Sequence, residues 1–525
     1  MDRRVLTAIV AGSAIFLGAC GDDDGPADVG PTSDASVPED APPQDDASER
    51  DGAASDAGDT DSGPEIPEVP DAERCSIEAP ALATGALRVD GRDLVDELGR
   101  RVILRGVNAG GRSKFPPFAP FELASDADFE PQLTRFMDIV AAWGIDVLRM
   151  PFSWEALEPE RGAYDEAYLA RYERQIEEAW ARGMRVVVDF HQDVYARPLC
   201  GDGFPLWSLA EIPDEPPVDC ASWFLGYLMD GGPVQLAFER FWANEDGLFD
   251  AFVAMWTTMV ERVGDQPGIA GYEIINEPGW GTGGQAELET TILPAAIERV
   301  AAAIREVQPD AIVFAGGPGT NAIAGDTMMR RPDIEQLVYA PHYYEPSLLV
   351  GGSYRSVTPV RRAIDRLSSR GVEWDTPVLY GEFGASNESP DQRRYLRDVY
   401  ALFDEHLVHA TLWETSLASA DWNEEALGTL NADGSERAVV DDLVRGYVRA
   451  VDGQVDRMTW VAEDATFVLE VSGAGPQVAE VYVPPRHAGD APRIGLDAGC
   501  VDWDAERGLL LVQPSGDRWT LVVEP

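Results

Sequence analysis

The chain has 525 residues, 45% of them apolar, and a formal net charge of −52 from 93 acids against 41 bases. That length holds two or three ordinary domains, or one α/β barrel of about 250 residues or more with additions. So acidic a protein repels phosphate, which excludes nucleic acid and anionic membrane surfaces as partners. Fourteen Trp and fifteen Tyr exceed what a core needs, and only one lysine occurs, Lys114.

The amino terminus reads as a targeting segment. Arg3 and Arg4 precede the apolar run Val5 to Leu17, which is too short for a comfortable bilayer span. Leu17-Gly18-Ala19-Cys20 follows, similar to a bacterial lipobox in which Cys20 becomes the lipidated first residue. The chain is therefore expected to be exported and lipid-anchored in the cell envelope; a plain secretory signal is the alternative. Residues 21–74 contain no Phe, Tyr, Trp or Lys and carry 18 acids against Arg50 and Arg74, a net −16. Such a stretch buries too little apolar surface to offset its ordering entropy, so a disordered tether is expected.

From about residue 85 the texture changes. A hairpin is predicted around Asp90-Gly91-Arg92. Short apolar runs then alternate with amphipathic segments, with strands expected at 102–108, 146–152, 186–191, 270–276, 311–315, 337–343, 377–382 and 409–414. Leu133, Phe136, Val140 and Trp143 share a helical face, as do Leu169, Tyr172, Ile176 and Trp180, entered near Asp165 and ended at Gly183. Eight such units predict a (β/α)8 TIM barrel over residues 75–452, closed by a helix at 439–451. Residues 453–525 switch to strand periodicity and predict a small antiparallel β-sandwich.

Export permits disulfides. Without Cys20, the four cysteines Cys75, Cys200, Cys220 and Cys500 allow three pairings. Cys200–Cys220 with Cys75–Cys500 is favoured, since the first closes a short loop and the second ties the two ends of the folded part. With no His or Cys cluster at ligand spacing, neither a metal nor a cofactor is expected.

Two strand ends carry chemistry. Tyr272-Glu273-Ile274-Ile275-Asn276-Glu277-Pro278 ends the fourth strand and Pro377-Val378-Leu379-Tyr380-Gly381-Glu382-Phe383-Gly384 the seventh, each with a glutamate where barrel enzymes place catalytic groups. Paired carboxylates are what glycoside hydrolysis requires, at a separation of about 5–5.5 Å for a retaining double displacement. Glu382 would be the nucleophile and Glu277 the acid/base, with their pKa values driven apart. Other strand ends fit one site. Arg149 would hold Glu382 ionised, His191 and Asp193 would bind sugar hydroxyls, His342 and Tyr344 would flank the nucleophile, and Trp413 would stack on a sugar face. Lys114, just after the first strand, would line the site. His406 and His409 show no such context.

This set resembles glycoside hydrolase family 5, the retaining TIM-barrel enzymes with acid/base and nucleophile on strands four and seven. The match runs from about Val102 to Trp413, with Arg149, His191, Asn276, Glu277, His342, Tyr344, Glu382 and Trp413 on family positions. The resemblance implies that Asn276 binds the sugar 2-hydroxyl. Gly106-Val107-Asn108, His191-Gln192-Asp193 and the C-terminal β-domain look more specifically like the endoglycoceramidase branch, in which Asp193 would also bind the terminal sugar. That branch implies a hydrolase of a β-linked glycolipid, and the chain is expected to act as a monomer. Apolar loops are compatible with a lipid groove, notably Phe115 to Phe118, Phe204 to Trp207, 347–350 and Trp223 to Met229, the last of which reads equally as a lid helix with its own core. The alternatives are a β-glycanase acting on a polysaccharide and, from another class, an inactive carbohydrate-binding lipoprotein.

Overall fold

The computed structural model describes residues 65–349, 351–418 and 426–525. The signal segment with Cys20 and most of the acidic tether lie outside the described residues.

Eight parallel segments close into a barrel: β1 (Arg105–Asn108), β2 (Val147–Phe152), β3 (Arg185–Phe190), β4 (Ile269–Glu273), β5 (Val313–Ala315), β6 (Leu337–Tyr339), β7 (Leu379–Tyr380) and β8 (His409–Leu412). β8 pairs back onto β1, and a bridge from Tyr339 to Val378 joins β6 to β7. β6 and β7 each resume after a break, as His342–Tyr344 and Glu382–Gly384, and the two continuations pair with each other. Every residue of β2 and β3 is buried, as expected for a parallel sheet whose outer face is covered by helices. The helix Phe129–Ala141 buries Leu133, Phe136 and Val140. The helix Glu166–Trp180 starts where the Asp165 carboxylate accepts the amides of Ala167 and Tyr168, and it buries Leu169, Tyr172 and Ile176. Each such side chain removed from water contributes about 1.5–3 kcal/mol.

A second body of two sheets packs against the barrel. Its four-stranded sheet comes from residues after 453 alone, while its eight-stranded sheet also takes the hairpin Leu87–Asp90 and Asp93–Asp96 and the strand Arg101–Val102. Two expectations need correction. In place of a helix at 439–451 there is one turn, Val440–Leu443, and then a strand, Tyr447–Val451, paired with Arg101–Val102 and Ala479–Tyr482. The β-branched and aromatic run Tyr447, Val448, Val451 suits a pleated buried surface, and Gly446 lies so close to the Trp460 ring that a Cβ would sit 2.8 Å from it. The end of the expected tether is also ordered: Asp71 bridges Gly495, and Glu73–Arg74 run parallel to Cys500–Val501.

The reason for that order is covalent. Cys75 is bonded to Cys500, and Cys200 to Cys220. Among the described residues no helix is long and apolar enough to cross a membrane. The Cys75–Cys500 link spans 425 residues, so it restricts the unfolded chain far more than the folded one. Cys500→Ser is expected to lower unfolding stability by about 2–4 kcal/mol in a denaturant titration; an unchanged midpoint would show that the strand pairing alone holds this end.

Candidate active site

Arg149, in the middle of β2, points into the barrel and is wholly buried. A guanidinium there is tolerable only if its charge is met and its donors are used. Nε and Nη2 donate to the two oxygens of Glu273 at 2.7 and 2.9 Å. Nη2 also reaches Asn276 Oδ1 at 2.8 Å, and Nη1 reaches Asn108 Oδ1 at 2.9 Å and Glu382 Oε1 at 2.8 Å. Asp189 lies 3.2 Å away. The parallel register makes this possible, since Asn108 is paired with Arg149 across β1 and β2.

Glu382 begins the second segment of β7, beside His342. Its Oε2 accepts the Tyr344 hydroxyl at 2.8 Å. Burial alone would raise its pKa, but the charges of His342 and Arg149 outweigh burial and hold it below the usual carboxylate value. Glu277 stands four residues beyond β4 with φ of 36°, a left-handed backbone that costs a residue with a Cβ on the order of 1–3 kcal/mol. Burial pushes its pKa up, and the charges of Glu382 and Asp193 push the same way, while the hydrogen bond and charge of His342 oppose them. Gly319 packs against this carboxyl group, so a Cβ there would sit 2.4 Å from Glu277 Oε2 and displace it.

His342 joins the two acids, with Nδ1 2.8 Å from Glu277 Oε1 and 3.7 Å from Glu382 Oε2. Burial disfavours its charge, yet the carboxylates of Glu382, Glu273 and Glu277 prevail and push its pKa up to about 10. One oxygen of each glutamate and a ring nitrogen of His342 lie within 4.8 Å of one another. Metal-ligand chemistry of that type is present, but the ligand atoms already serve each other, Arg149 and Tyr344 as hydrogen-bond partners. What the arrangement offers chemically is two carboxyl groups facing the same small space with their pKa values pushed apart, Glu382 down and Glu277 up.

Part of the site is polar. His191 and Asp193 follow β3 directly; His191 Nδ1 is 2.7 Å from Asp189, and its ring stacks on Trp413 at 5.2 Å. Burial and Lys114 disfavour the charged imidazole, but Asp189 and Asp193 lift its pKa to about 9. Lys114 ends the turn Gly111–Lys114, pairs with Asp193, and holds its ammonium 4.4 Å from the Trp413 ring centre. Apolar side chains line the same pocket of about 480 Å³, among them Trp223, Phe224, Ile323 and Leu349, and Ala322, Leu427 and Leu349 pack with Trp413 and Tyr344. The 223–229 segment is a short helical lid: Phe224 and Tyr227 are buried inward, while Leu228 and Met229 face solvent.

The fold thus brings together Glu277, Glu382, Arg149, His191, Asp193, Asn276, His342, Tyr344, Trp413 and Lys114. His342 flanks the nucleophile as expected, 3.7 Å from Glu382, and in addition bonds to Glu277. His409 is buried, accepts the Leu104 amide, and has its pKa lowered to about 3 by burial, so it serves the core. His406 faces Asp365 away from the site. Sequence reasoning missed Glu273, Asp189, Gln192, Tyr227 and Asp202. For Glu273 and Asp189 a signal existed: a single acid inside an apolar strand demands a buried partner.

The family profile for cellulase, glycosyl hydrolase family 5, matches residues 106–419. Endoglycoceramidase I of Rhodococcus hoagii is 28% identical over 449 residues, covering 80% of this chain and 84% of that protein. Among solved structures, endo-glycoceramidase II from Rhodococcus sp. in complex with ganglioside GM3 superposes with a TM-score of 0.69 at 26% identity, covering 83% of this chain and 100% of the other. The lactosyl-enzyme intermediate of that protein gives a TM-score of 0.67 at 26% identity with the same coverage.

Removing the bidentate partner of Arg149 leaves a buried charge exposed to its own desolvation. Glu273→Ala is expected to cost about 3–5 kcal/mol of stability, measured by chemical unfolding; a cost below 1 kcal/mol would mean that Asp189 and Glu382 suffice.

Proposed function

We propose that this chain, which belongs to glycosyl hydrolase family 5 and is a retaining glycoside hydrolase, cleaves the β-linkage between the sugar and the lipid of a glycolipid. The observation that carries the reading is a pocket around the two glutamates lined both by the charged Lys114 and Asp193 and by the apolar Trp223, Phe224, Ile323 and Leu349. The aliphatic Ile323 and Leu349 beside those rings suit a lipid chain better than a second sugar. The endoglycoceramidase names of the relatives point the same way.

In this reading Glu382 attacks the anomeric carbon as Glu277 gives its proton to the departing oxygen. The sugar is then held as an ester on Glu382. Glu277, now a carboxylate, takes a proton from water, the water oxygen bonds to the anomeric carbon, and Glu382 leaves. Support comes from the two glutamates, one oxygen of each lying within 4.8 Å of the other, close enough for the direct attack of a retaining enzyme. Lys114, Asp193, His191 and Asn276 would bind the ring hydroxyls, and Trp413 would support its apolar face. A separate open cleft of about 1200 Å³, lined by Phe118, Tyr168, Arg171 and Arg197 above β1 to β3, would take further sugars. Its lining comes from the segments after β1, β2 and β3, whereas Ile323 and Leu349 of the apolar wall come from the loops after β5 and β6. We further read the amino terminus as a lipoprotein export signal that would place a monomeric enzyme at the cell envelope through Cys20.

The decisive comparison is hydrolysis of a detergent-dispersed glycosylceramide, an aryl β-lactoside and soluble glucan or mannan. Release of intact oligosaccharide from the glycolipid is expected; activity confined to polymers would reject the substrate. Glu382→Gln and Glu277→Gln should each lower turnover of the glycolipid by orders of magnitude without unfolding the protein. The pH profile has a sign. Glu382 must be ionised and its pKa is lowered, so kcat/KM should hold until the pH falls below the ordinary value of about 4.3 for Glu. Glu277 must be protonated and its pKa is raised, so activity should fall on the alkaline side above that value. A profile without an alkaline limb would reject Glu277 as the acid.

A further inference from the structure

Glu277 is held from two directions. His342 holds its carboxyl group, but the left-handed φ of 36° means that its main chain also needs holding. Two donors converge on its carbonyl oxygen, the Gln192 amide at 2.9 Å and the Tyr227 hydroxyl at 3.0 Å. Gln192 lies beside the sugar-facing residues His191 and Asp193 and also donates to the Asn276 carbonyl at 2.7 Å. Tyr227 comes from elsewhere. It sits on the lid, buried, and its oxygen accepts the Val194 amide at 2.9 Å while its hydrogen goes to Glu277.

The lid that carries Tyr227 also carries the apolar wall. Trp223 and Phe224 lie one helical turn before it, with the Tyr227 amide bonded to the Phe224 carbonyl at 3.2 Å. The Phe224 and Trp223 rings meet the Tyr227 ring edge-on at 5.8 and 6.4 Å. Cys220, bonded to Cys200, anchors the start of the segment to the loop that follows Asp193. Side chains in such a packed array do not shift independently, so a displacement of Trp223 or Phe224 moves the ring of Tyr227 and the hydrogen bond at its tip.

We infer that Tyr227 is a positioning residue that couples the apolar wall to Glu277, so that a leaving group seated against Trp223 and Phe224 aligns the acid that must protonate it. The inference rests on the acid/base reading of Glu277. It makes proton delivery to the leaving oxygen, not attack by Glu382, the step that depends on the lid.

The test is a leaving-group series on the full chain, comparing Tyr227→Phe with the unmodified enzyme by kcat/KM, which reports the first bond cleavage. A dinitrophenyl β-lactoside departs without a proton, a methoxyphenyl β-lactoside needs one, and a lactosylceramide in detergent needs one most. Loss of less than about twofold is expected on the first and tenfold or more on the last, a fraction of the 10²–10⁴ that general acid catalysis supplies. The alkaline limb of the pH profile should move with it. Equal loss on all three substrates would mark Tyr227 as merely structural, and no loss on any would sever the link; either overturns the inference. Should Tyr227→Phe fail to fold, the double variant Cys200→Ser, Cys220→Ser frees the lid and must show the same graded loss. Glu277→Gln is the separate control: if it shows no leaving-group dependence, the acid/base reading fails, whatever Tyr227 does.

Discussion

A single buried cation organises this molecule. Arg149 has five N–H donors, and all are committed, to Glu273 twice and to Asn276, Asn108 and Glu382 once each. Those five bonds tie the ends of β1, β2, β4 and β7 together, and through Glu382 and Asn276 they fix the residues beside the scissile bond. Burying such a charge does not strengthen a fold relative to apolar packing of the same volume. The arrangement therefore makes sense as preorganisation: donors aimed in advance at a carboxylate that must stay ionised and stay still.

Acids and bases interleave around Arg149. Burial pushes Glu277, Asp189 and Asp202 upward, the last to about 8, while neighbouring cations hold Glu273, Asp193 and Glu382 down. Arg149 and Lys114 face them together with His191 and His342, whose imidazoles are both lifted toward the charged form. A chain of net charge −52 thus spends its only lysine and two of its five histidines on one pocket. The scarcity of lysine elsewhere makes Lys114 legible in hindsight, because its position after the first strand was the sole clue that it lined the site.

How far the sequence can be read follows from what each signal depends on. The eight strands and their helices were legible because apolar periodicity is local, and Glu277 and Glu382 because a polar residue ending an apolar strand stands out. The strand Tyr447–Val451 was not, since Val439, Val440, Leu443, Tyr447 and Val451 satisfy a helical period as well as a pleated one. The edges offered by Arg101–Val102, more than three hundred residues earlier, and by Ala479–Tyr482 decide between them. Tyr227 and Gln192 were invisible for a related reason: their work is done on a main-chain oxygen, which leaves no mark in residue type. The preference of His342 for Glu277 depends on less than 1 Å of side-chain placement, 2.8 against 3.7 Å, and no spacing rule carries that information.

The difference between the two glutamates also explains how one residue can serve first as acid and then as base. Glu277 owes part of its raised pKa to the negative charge of Glu382. When Glu382 is converted to an ester in the proposed double displacement, that charge disappears while His342 remains in place. The upward push on Glu277 weakens just as it has delivered its proton, so it stays ionised and ready to take the next one from water. Once water has released the sugar, the charge on Glu382 returns and Glu277 is again pushed toward its protonated form. Arg149 and Tyr344 hold Glu382 through both states, so the alternation needs no movement of the barrel, only the making and breaking of one bond 4.8 Å or less from the group it controls.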